Sequence, residues 1–399
     1  MKILMINSVC GYGSTGKIVA DLAHEIEKKG DECWIAYGRG DAPSDLHTYR
    51  IGDDLGVYMH GVLSRITDKH GFYSKYATKM FIRWMKQYNP DVIHLHNLHG
   101  YYINIELLFQ ALKELDKPVI WTLHDCWAFT GHCAHFDFCG CNKWKTQCER
   151  CVQKREYPTS FVMDNSRENY IRKKNVIGQI DKLEVVTPSD WLKRLVKQSF
   201  LKRYPVQVVK NGIDLNVFHP VRDMNIKQRY GLQDKKIILG VASTWSKRKG
   251  IQDFEKLADM IDDTYHIVLI GTINVKETIS KPNVTLIDRT ENREQLAAWY
   301  TEADIFFNPT YEDNYPTVNL EAQGCGTPVI TYNTGGSPEG IIAGGGSVIE
   351  QADLDAFVEK LKQIEEMQPV KIGCGEMSKE KMLECYMEIY NNRLECENE

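Results

Sequence analysis

The chain has 399 residues, enough for two cores at the usual ~100–200 residues per domain. It is 43% hydrophobic and 26% charged without a low-complexity segment, which excludes a disordered chain. Its net charge of −5 is uneven, 29 Lys+Arg against 23 Asp+Glu (+6) in residues 1–203 and 20 against 31 (−11) in residues 204–399, too weak a basic excess for a nucleic-acid binder.

The N-terminal MKILMINSV enters a strand-like run directly, with no basic, apolar and small-residue succession typical of a secretory signal, and no run of about 18 apolar residues follows. The expectation is a soluble, cytoplasmic protein. In chain order, strand-like runs fall at 2–7, 32–38, 92–97, 118–125 and 183–189, separated by helix-like segments such as 16–29, 73–88 and 105–115. Further runs at 237–243, 266–271, 284–288, 304–309 and 327–332 alternate with helices near 251–262, 292–302 and 317–324. Continuous apolar strands between helices predict parallel sheets covered on both faces, hence two doubly wound α/β domains. The boundary is placed near 200–210, where Pro205 follows a basic helical stretch. This predicts an acceptor-side domain over 1–203, a donor-binding domain over 204–375 and a C-terminal helix within 376–399 that packs back toward the first domain. Open α/β sheets bind ligands at the carboxyl ends of their strands, so the site is expected in a cleft between the two sheets.

After the first strand, Gly11-Tyr12-Gly13-Ser14-Thr15-Gly16-Lys17-Ile18 satisfies G-x-G-x-x-G and nearly a P-loop. Ile18 has no hydroxyl for magnesium, and the second strand ends in Gly38-Arg39, not in the acid that a dinucleotide fold uses. What survives both failures is a turn whose small residues, Gly13 and Gly16, let backbone amides approach a phosphate or sugar. A tight strand-to-helix turn without a ligand is the plain alternative.

Helix 73–88 puts Lys75, Lys79, Arg83 and Lys86 on one stripe with Phe72, Tyr76, Met80, Phe81 and Trp84 close by. Such interleaving suits an anionic membrane face, or simply a solvated one. Six of the twelve cysteines crowd into residues 126–151. Cys148-x-x-Cys151 has the spacing of half a zinc knuckle, and Cys133 and Cys141 complete a tetrahedral thiolate set, so a structural zinc is expected. Buried free thiols and disulfides are the alternatives. His94, His96 and His99 read as polar lining, not as metal ligands.

The stretch DIFFNPTYEDNYPTVNLEAQGCGTPVITYNTGGSPE (304–339) carries two acids, Asp313 and Glu321, bracketing a helix start. Pro316 suits the first helical position. The amides around Asn314, Tyr315, Thr317 and Val318, with the helix dipole, form a seat for phosphate, and carboxylates beside it match vicinal hydroxyls. Phosphate plus diol describes a nucleotide sugar. A capping Asp with a solvated Glu is the plain alternative.

Four signatures in order, TLHD at 122–125, NGIDLNVFHP at 211–220, SKRKG at 246–250 and the acid-x7-acid block at 313–321 followed by CGTPVI and TGGSPE, make the chain resemble the retaining glycosyltransferases of the GT-B class, family 4 (group 1), over nearly its full length. The resemblance implies that Glu321 accepts from the donor ribose and Asp313 holds hydroxyls of the donor sugar. Arg248 and Lys249 would grip the diphosphate, His124 would meet the sugar on its reacting side, and Asn211 would line the donor site. It implies a UDP-linked donor, a glycan or lipid-linked acceptor, contact with the inner membrane face, no nucleic acid and no cofactor for the transfer step. Two departures stand out. The first acid of the pair is Asp313 where the family usually has Glu, with Glu312 out of register, and Ser243 stands where an Arg is frequent, a loss that Arg248 is expected to offset. An epimerase, a sugar phosphorylase, a dehydrogenase and a non-catalytic nucleotide-sugar sensor are the rival readings.

Overall fold

The computed structural model describes residues 1–221, 225–273, 279–363, 375 and 377–398, with side chains through 395. It divides into two units, Met1–Val209 with Leu383–Glu399, and Lys210–Met382. The boundary expected at 375/376 falls among residues of which 364–374 and 376 lie outside the described residues.

The first unit runs β1 (Lys2–Val9), α1 (Gly13–Lys28), β2 (Glu32–Arg39), β3 (Thr48–Arg50), α2 (Asp54–Thr67), α3 (Lys75–Tyr88), β4 (Val92–Leu95), α4 (Ile105–Leu115), β5 (Val119–Thr122), α5 (Ser166–Ile177), β6 (Leu183–Thr187), α6 (Asp190–Gln198) and β7 (Val206–Val208). Its seven strands are parallel in the order β3-β2-β1-β4-β5-β6-β7. Every residue of β1 but Lys2 is buried, as a strand covered on both faces requires. Helix starts are set by short polar side chains: Asn104 accepts from the Leu107 N–H at 3.0 Å to open α4, and Ser189 from the Leu192 N–H at 3.1 Å to open α6.

The second unit runs α7 (Ile226–Arg229), β8 (Lys236–Trp245), α8 (Ile251–Leu257), β9 (Tyr265–Ile273), β10 (Val284–Ile287), α9 (Arg293–Glu302), β11 (Ile305–Asn308), α10 (Thr317–Gly324), β12 (Val329–Tyr332), β13 (Gly346–Ile349) and α11 (Leu354–Gln363). Its sheet, again parallel, is ordered β10-β9-β8-β11-β12-β13. Alternation of side chains splits its core in two. Ile237, Leu239, Val268 and Phe306 face one layer, and Ile238, Ile267, Ile305 and Phe307 the other. The last helix, α12 (Lys379–Asn398), joins the first unit from Leu383 onward: Tyr390 shares a 2.7 Å hydrogen bond with His94, Tyr386 one of 3.0 Å with Thr122, and Arg393 Nε donates to the buried Glu184 at 2.5 Å.

In both sheets chain order reverses beside the first strand of the unit, between β1 and β4 and between β8 and β11. Loops leaving the strand ends diverge there and open a crevice. The loops that matter below leave from those strands and from their neighbours β5 and β12.

Candidate functional site

In the second unit three loops meet at the reversal point. Residues 246–250 follow β8, residues 309–316 follow β11 and residues 333–337 follow β12. Backbone bonds tie them. The Tyr311 N–H donates to the Arg248 carbonyl at 2.8 Å, and the Gly336 N–H to the Asp313 carbonyl at 3.1 Å. Two glycines permit this closeness. A Cβ on Gly250 (φ +74°) would lie 2.2 Å from the Pro309 carbonyl oxygen, and one on Gly335 (φ +57°) 2.0 Å from that of Asp313.

The charged side chains sit on this frame. Lys249 Nζ donates to Asp313 Oδ2 at 2.5 Å with both side chains about a fifth exposed, and Asp313 Oδ1 accepts from the Asn314 N–H at 2.8 Å. Arg248 donates to the Glu312 carbonyl at 2.8 Å, so part of the guanidinium secures the loop that carries Asp313. Glu312 itself is buried, consistent with its being out of register. Helix α10 begins at Thr317 with Pro316 (φ −70°, ψ 113°) in the cap position, one residue later than expected. Glu321 therefore lies one turn inside the helix, where its Oε2 accepts from the fully buried Tyr300 hydroxyl at 3.1 Å. Asn314 and Tyr315 are buried, and Thr317 and Val318 half-buried, at the helix start. Asn211 is also buried, in a segment where the Ile213 N–H donates to the Met377 carbonyl at 2.8 Å and Lys379 pairs with Asp214 at 3.0 Å.

A buried polar layer beneath α10 escaped the sequence reading. Asn319 accepts from Asn308 Nδ2 at 2.8 Å and donates to Ser337. Thr331 and Ser337 share a bond of 2.6 Å, and Gln323 donates to the Asn319 and Gly340 carbonyls at 2.7 Å. This network locks α10 to the ends of β11 and β12, fixing where its N-terminal amides point. Polar residues on the inward side of an otherwise apolar helix were the available signal.

In the first unit the loops after β1, β4 and β5 carry the glycine turn and a set of imidazoles. Gly13 opens α1 at φ +64° with no atom within 4 Å of where a Cβ would stand, whereas a Cβ on Gly16 would meet Val9 at 3.0 Å. Gly16 is thus explained by helix-to-strand packing, whereas Gly13 is suited by its positive φ and faces open space. His124, just past β5, shares a 3.1 Å hydrogen bond with the buried His96, and His99 Nε2 bonds Asp125 at 2.7 Å. Burial pulls His124 down to about 4 against the upward pull of Asp125, and pulls His96 well below the ordinary value with the help of His94 and His124. Burial pushes the Asp125 carboxyl up, but His99, its charge and its hydrogen bond together, brings it down to about 2. His124 is therefore a neutral imidazole near pH 7, able to donate or accept a hydrogen bond but not to act as a cation.

Cys133, Cys141, Cys148 and Cys151 line one cavity of about 20 Å³, and Cys133 and Cys151 share a hydrogen bond. His132, on the same lining, is held through Nδ1 by the buried Asp68, while its buried Nε2 has no hydrogen-bond partner among the described residues. As placed, no group of three or more His, Cys, Asp or Glu among the described residues could hold a metal ion.

Comparison with known proteins agrees with this organisation. The Glycosyltransferase Family 4 model matches residues 15–217, and the Glycosyl transferases group 1 model matches residues 223–381. WcaC of Escherichia coli (strain K12), a glycosyl transferase named for colanic acid biosynthesis, is 22% identical over 389 residues, covering 91% of this chain and 90% of that protein. Anabaena Alr3699/HepE, solved in complex with UDP, superposes with a TM-score of 0.68 at 13% identity over 98% of this chain and 100% of that one. The lipopolysaccharide outer core galactosyltransferase WaaB superposes with a TM-score of 0.61 at 15% identity over 100% of both chains. The two doubly wound units are those of the GT-B fold.

Proposed function

Since the chain belongs to the family 4, group 1 glycosyltransferases, we propose that it moves a sugar from a UDP-linked donor to a glycan or lipid-linked saccharide acceptor, retaining anomeric configuration without a metal ion in the transfer step. The observation that carries this reading is the second unit's loop cluster, which sets Lys249, Arg248, Asp313 and Glu321 around the start of α10 at the sheet's reversal point. In such a transfer, negative charge grows on the departing diphosphate. Cations and helix N-terminal amides fixed beforehand stabilise that charge more than they stabilise the ground state. Arg248, Lys249 and the amides of Tyr315, Thr317 and Val318 take that role, Glu321 accepts from the ribose diol, and Asp313, paired with Lys249, holds a sugar hydroxyl. Asn211, in the same unit, adds a donor contact. The UDP in the HepE complex supports the nucleotide, and the lipopolysaccharide substrate named for WaaB supports an acceptor that is a lipid-linked saccharide.

The test is a panel of nucleotide sugars with purified protein, following both release of nucleoside diphosphate and thermal stability. At least one donor is expected to be hydrolysed slowly without acceptor. Binding without release would identify a sensor, an altered sugar without release an epimerase, and no response to any donor would refute the reading.

A further inference from the structure

We propose that Arg39, at the carboxyl end of β2, binds an anionic substituent, a carboxylate or a phosphate, on the saccharide acceptor. A dinucleotide fold ends this strand in an acid that takes ribose hydroxyls, and an Arg in its place inverts the charge that the strand end selects. The carrying observation is an unused guanidinium. Among the described residues the Arg39 side chain makes no hydrogen bond or ion pair, and its Nε is buried. A guanidinium carries five N–H donors in a planar fork, and a buried donor left without an acceptor is costly.

The strand end is shaped around this side chain. A Cβ on Gly38 would lie 2.1 Å from the Tyr102 ring, and one on Gly40 (φ +70°) 2.3 Å from the Tyr12 hydroxyl, so both glycines are needed for those rings to close on β2. The guanidinium stands against Gly100 (φ +121°), where a Cβ would lie 3.6 Å from Arg39 Nε and 2.9 Å from Ser8 in β1. Gly100 follows β4, which puts Arg39 where the loops after β1 and β4 diverge. That loop is firmly held. The Gly100 N–H donates to His70 Nε2 at 3.2 Å, and Tyr101 takes φ +68°, which a bulky residue adopts only where its surroundings compel it. Because His70 Nε2 accepts, Nδ1 carries the ring proton, and this second buried donor also has no partner among the described residues.

Charge and ring faces set the class of ligand. Buried donors without acceptors beside one loop call for a group rich in acceptor oxygens, and a guanidinium meets the oxygens of a carboxylate or phosphate in pairs. The buried carboxylate of this region, Asp125, does not supply them, since its oxygens are engaged by His99 at 2.7 Å and the Trp127 N–H at 2.8 Å. Burial pushes the Tyr101, Tyr102 and Tyr157 hydroxyls up and the Arg39 charge partly offsets it, so the guanidinium is within electrostatic reach of all three. Tyr157, 41% exposed and bonded to His99 Nδ1 at 2.8 Å, and Tyr12, 43% exposed and bonded to the Arg39 carbonyl at 2.9 Å, offer ring faces to a sugar that carries the anion. An acidic saccharide uses all of these groups, whereas a free anion uses only the cation. The anion site stands on its own geometry, and only the naming of its saccharide as the acceptor rests on the transfer reading.

The test is isothermal titration of the full-length protein with methyl β-D-glucuronide, glucose 6-phosphate, methyl β-D-glucoside and inorganic phosphate. Wild type is expected to bind one of the two acidic sugars at least ~10-fold more tightly than the neutral glucoside or inorganic phosphate, the glucuronide if the group is a carboxylate and the sugar phosphate if it is a phosphate. Arg39→Gln is expected to bind acidic and neutral sugars alike. Arg39→Lys should keep part of the preference, because one ammonium cannot pair with two oxygens in a fork. No preference in wild type, a preference that persists in Arg39→Gln, or inorganic phosphate bound as tightly as the acidic sugars overturns the proposal. So does an Arg39→Gln unfolding midpoint far below wild type, since the guanidinium is then a structural support. Donor-induced thermal shifts are read on the same samples. Acidic-sugar preference absent with donor response kept counts against the anion site alone, and the reverse counts against the transfer reading alone.

Discussion

Replacing Glu321 tests the donor seat most directly, provided that its two jobs are separated. Glu321 accepts from Tyr300, whose hydroxyl is fully buried, so Glu321→Ala leaves that hydroxyl without its acceptor and is expected to cost about 1–3 kcal/mol of stability. Glu321→Gln keeps a carbonyl oxygen for Tyr300 and removes only the charge. Two hydrogen bonds from a ribose diol to a carboxylate contribute about 1.5–3 kcal/mol each, so the Ala variant is expected to bind donor at least ~100-fold more weakly. In a thermal-shift assay, donor at 100 times its dissociation constant stabilises wild type by about 2.7 kcal/mol. For a unit the size of Lys210–Met382 that is a rise of roughly 5–11 °C. The same donor concentration should raise the Ala variant by only about 1 °C and the Gln variant by an intermediate amount. Equal shifts for wild type and Glu321→Ala, measured from their own ligand-free midpoints, would refute the ribose assignment.

Four further outcomes are expected. Lys249→Ala and Arg248→Ala should each lower turnover by roughly 10²–10³-fold, as losses of preorganised charge do, and an Arg248→Ala enzyme with normal rates would remove the idea that Arg248 offsets Ser243. Gly335→Ala forces a Cβ to within 2.0 Å of the Asp313 carbonyl at a positive φ and should destabilise by about 2–4 kcal/mol in urea titration. Burial holds folded His60 and His94 near 3 and His124 near 4, below the ordinary imidazole value of 6.5; the unfolded chain therefore takes up protons first, and stability present above pH 6.5 should fall by about 1.4 kcal/mol per pH unit per such imidazole as pH drops toward 4. A flat stability profile from pH 7.5 to 5 would refute that account. We propose that zinc draws the four loop thiols together, with the His132 ring held ready by Asp68 as a substitute ligand; purified protein should then carry close to one equivalent, and less than about half an equivalent, unchanged in stability by chelator, would refute it.

The alternation of apolar strands and amphipathic helices made both sheets legible, because a strand buried on two faces has no polar register to hide it. The edge strands β3, β7 and β13 were not singled out: they are three or four residues long and only partly buried, so they carry little hydrophobic signal. Helix α2 was missed because Gly56 and Gly61 dilute its propensity, and the burial that identifies it is inverted. The acids and cations of the donor seat were legible by residue type, but their pairing was not. That Lys249 reaches Asp313, and that Arg248 spends part of its guanidinium on the Glu312 carbonyl, follows from loops 64 residues apart in sequence meeting at one strand reversal.

The uneven charge of the two halves is explained by this distribution of roles. The basic first half pointed to an anionic surface or substrate. The cations of the proposed diphosphate seat stand in the acidic second half, on Lys249 and Arg248. Electrostatic selection of a diphosphate is local, because screening at physiological salt confines it to about 8 Å, so two fixed cations and a helix start outweigh a distant surplus of −11. The excess of the first half gathers instead on surfaces such as α3, with four cations and no acid, beside a helix that shows its apolar face outward. Burial holds His96 and His124, after β4 and β5, well below the ordinary imidazole value, so these two add nothing to that field at pH 7.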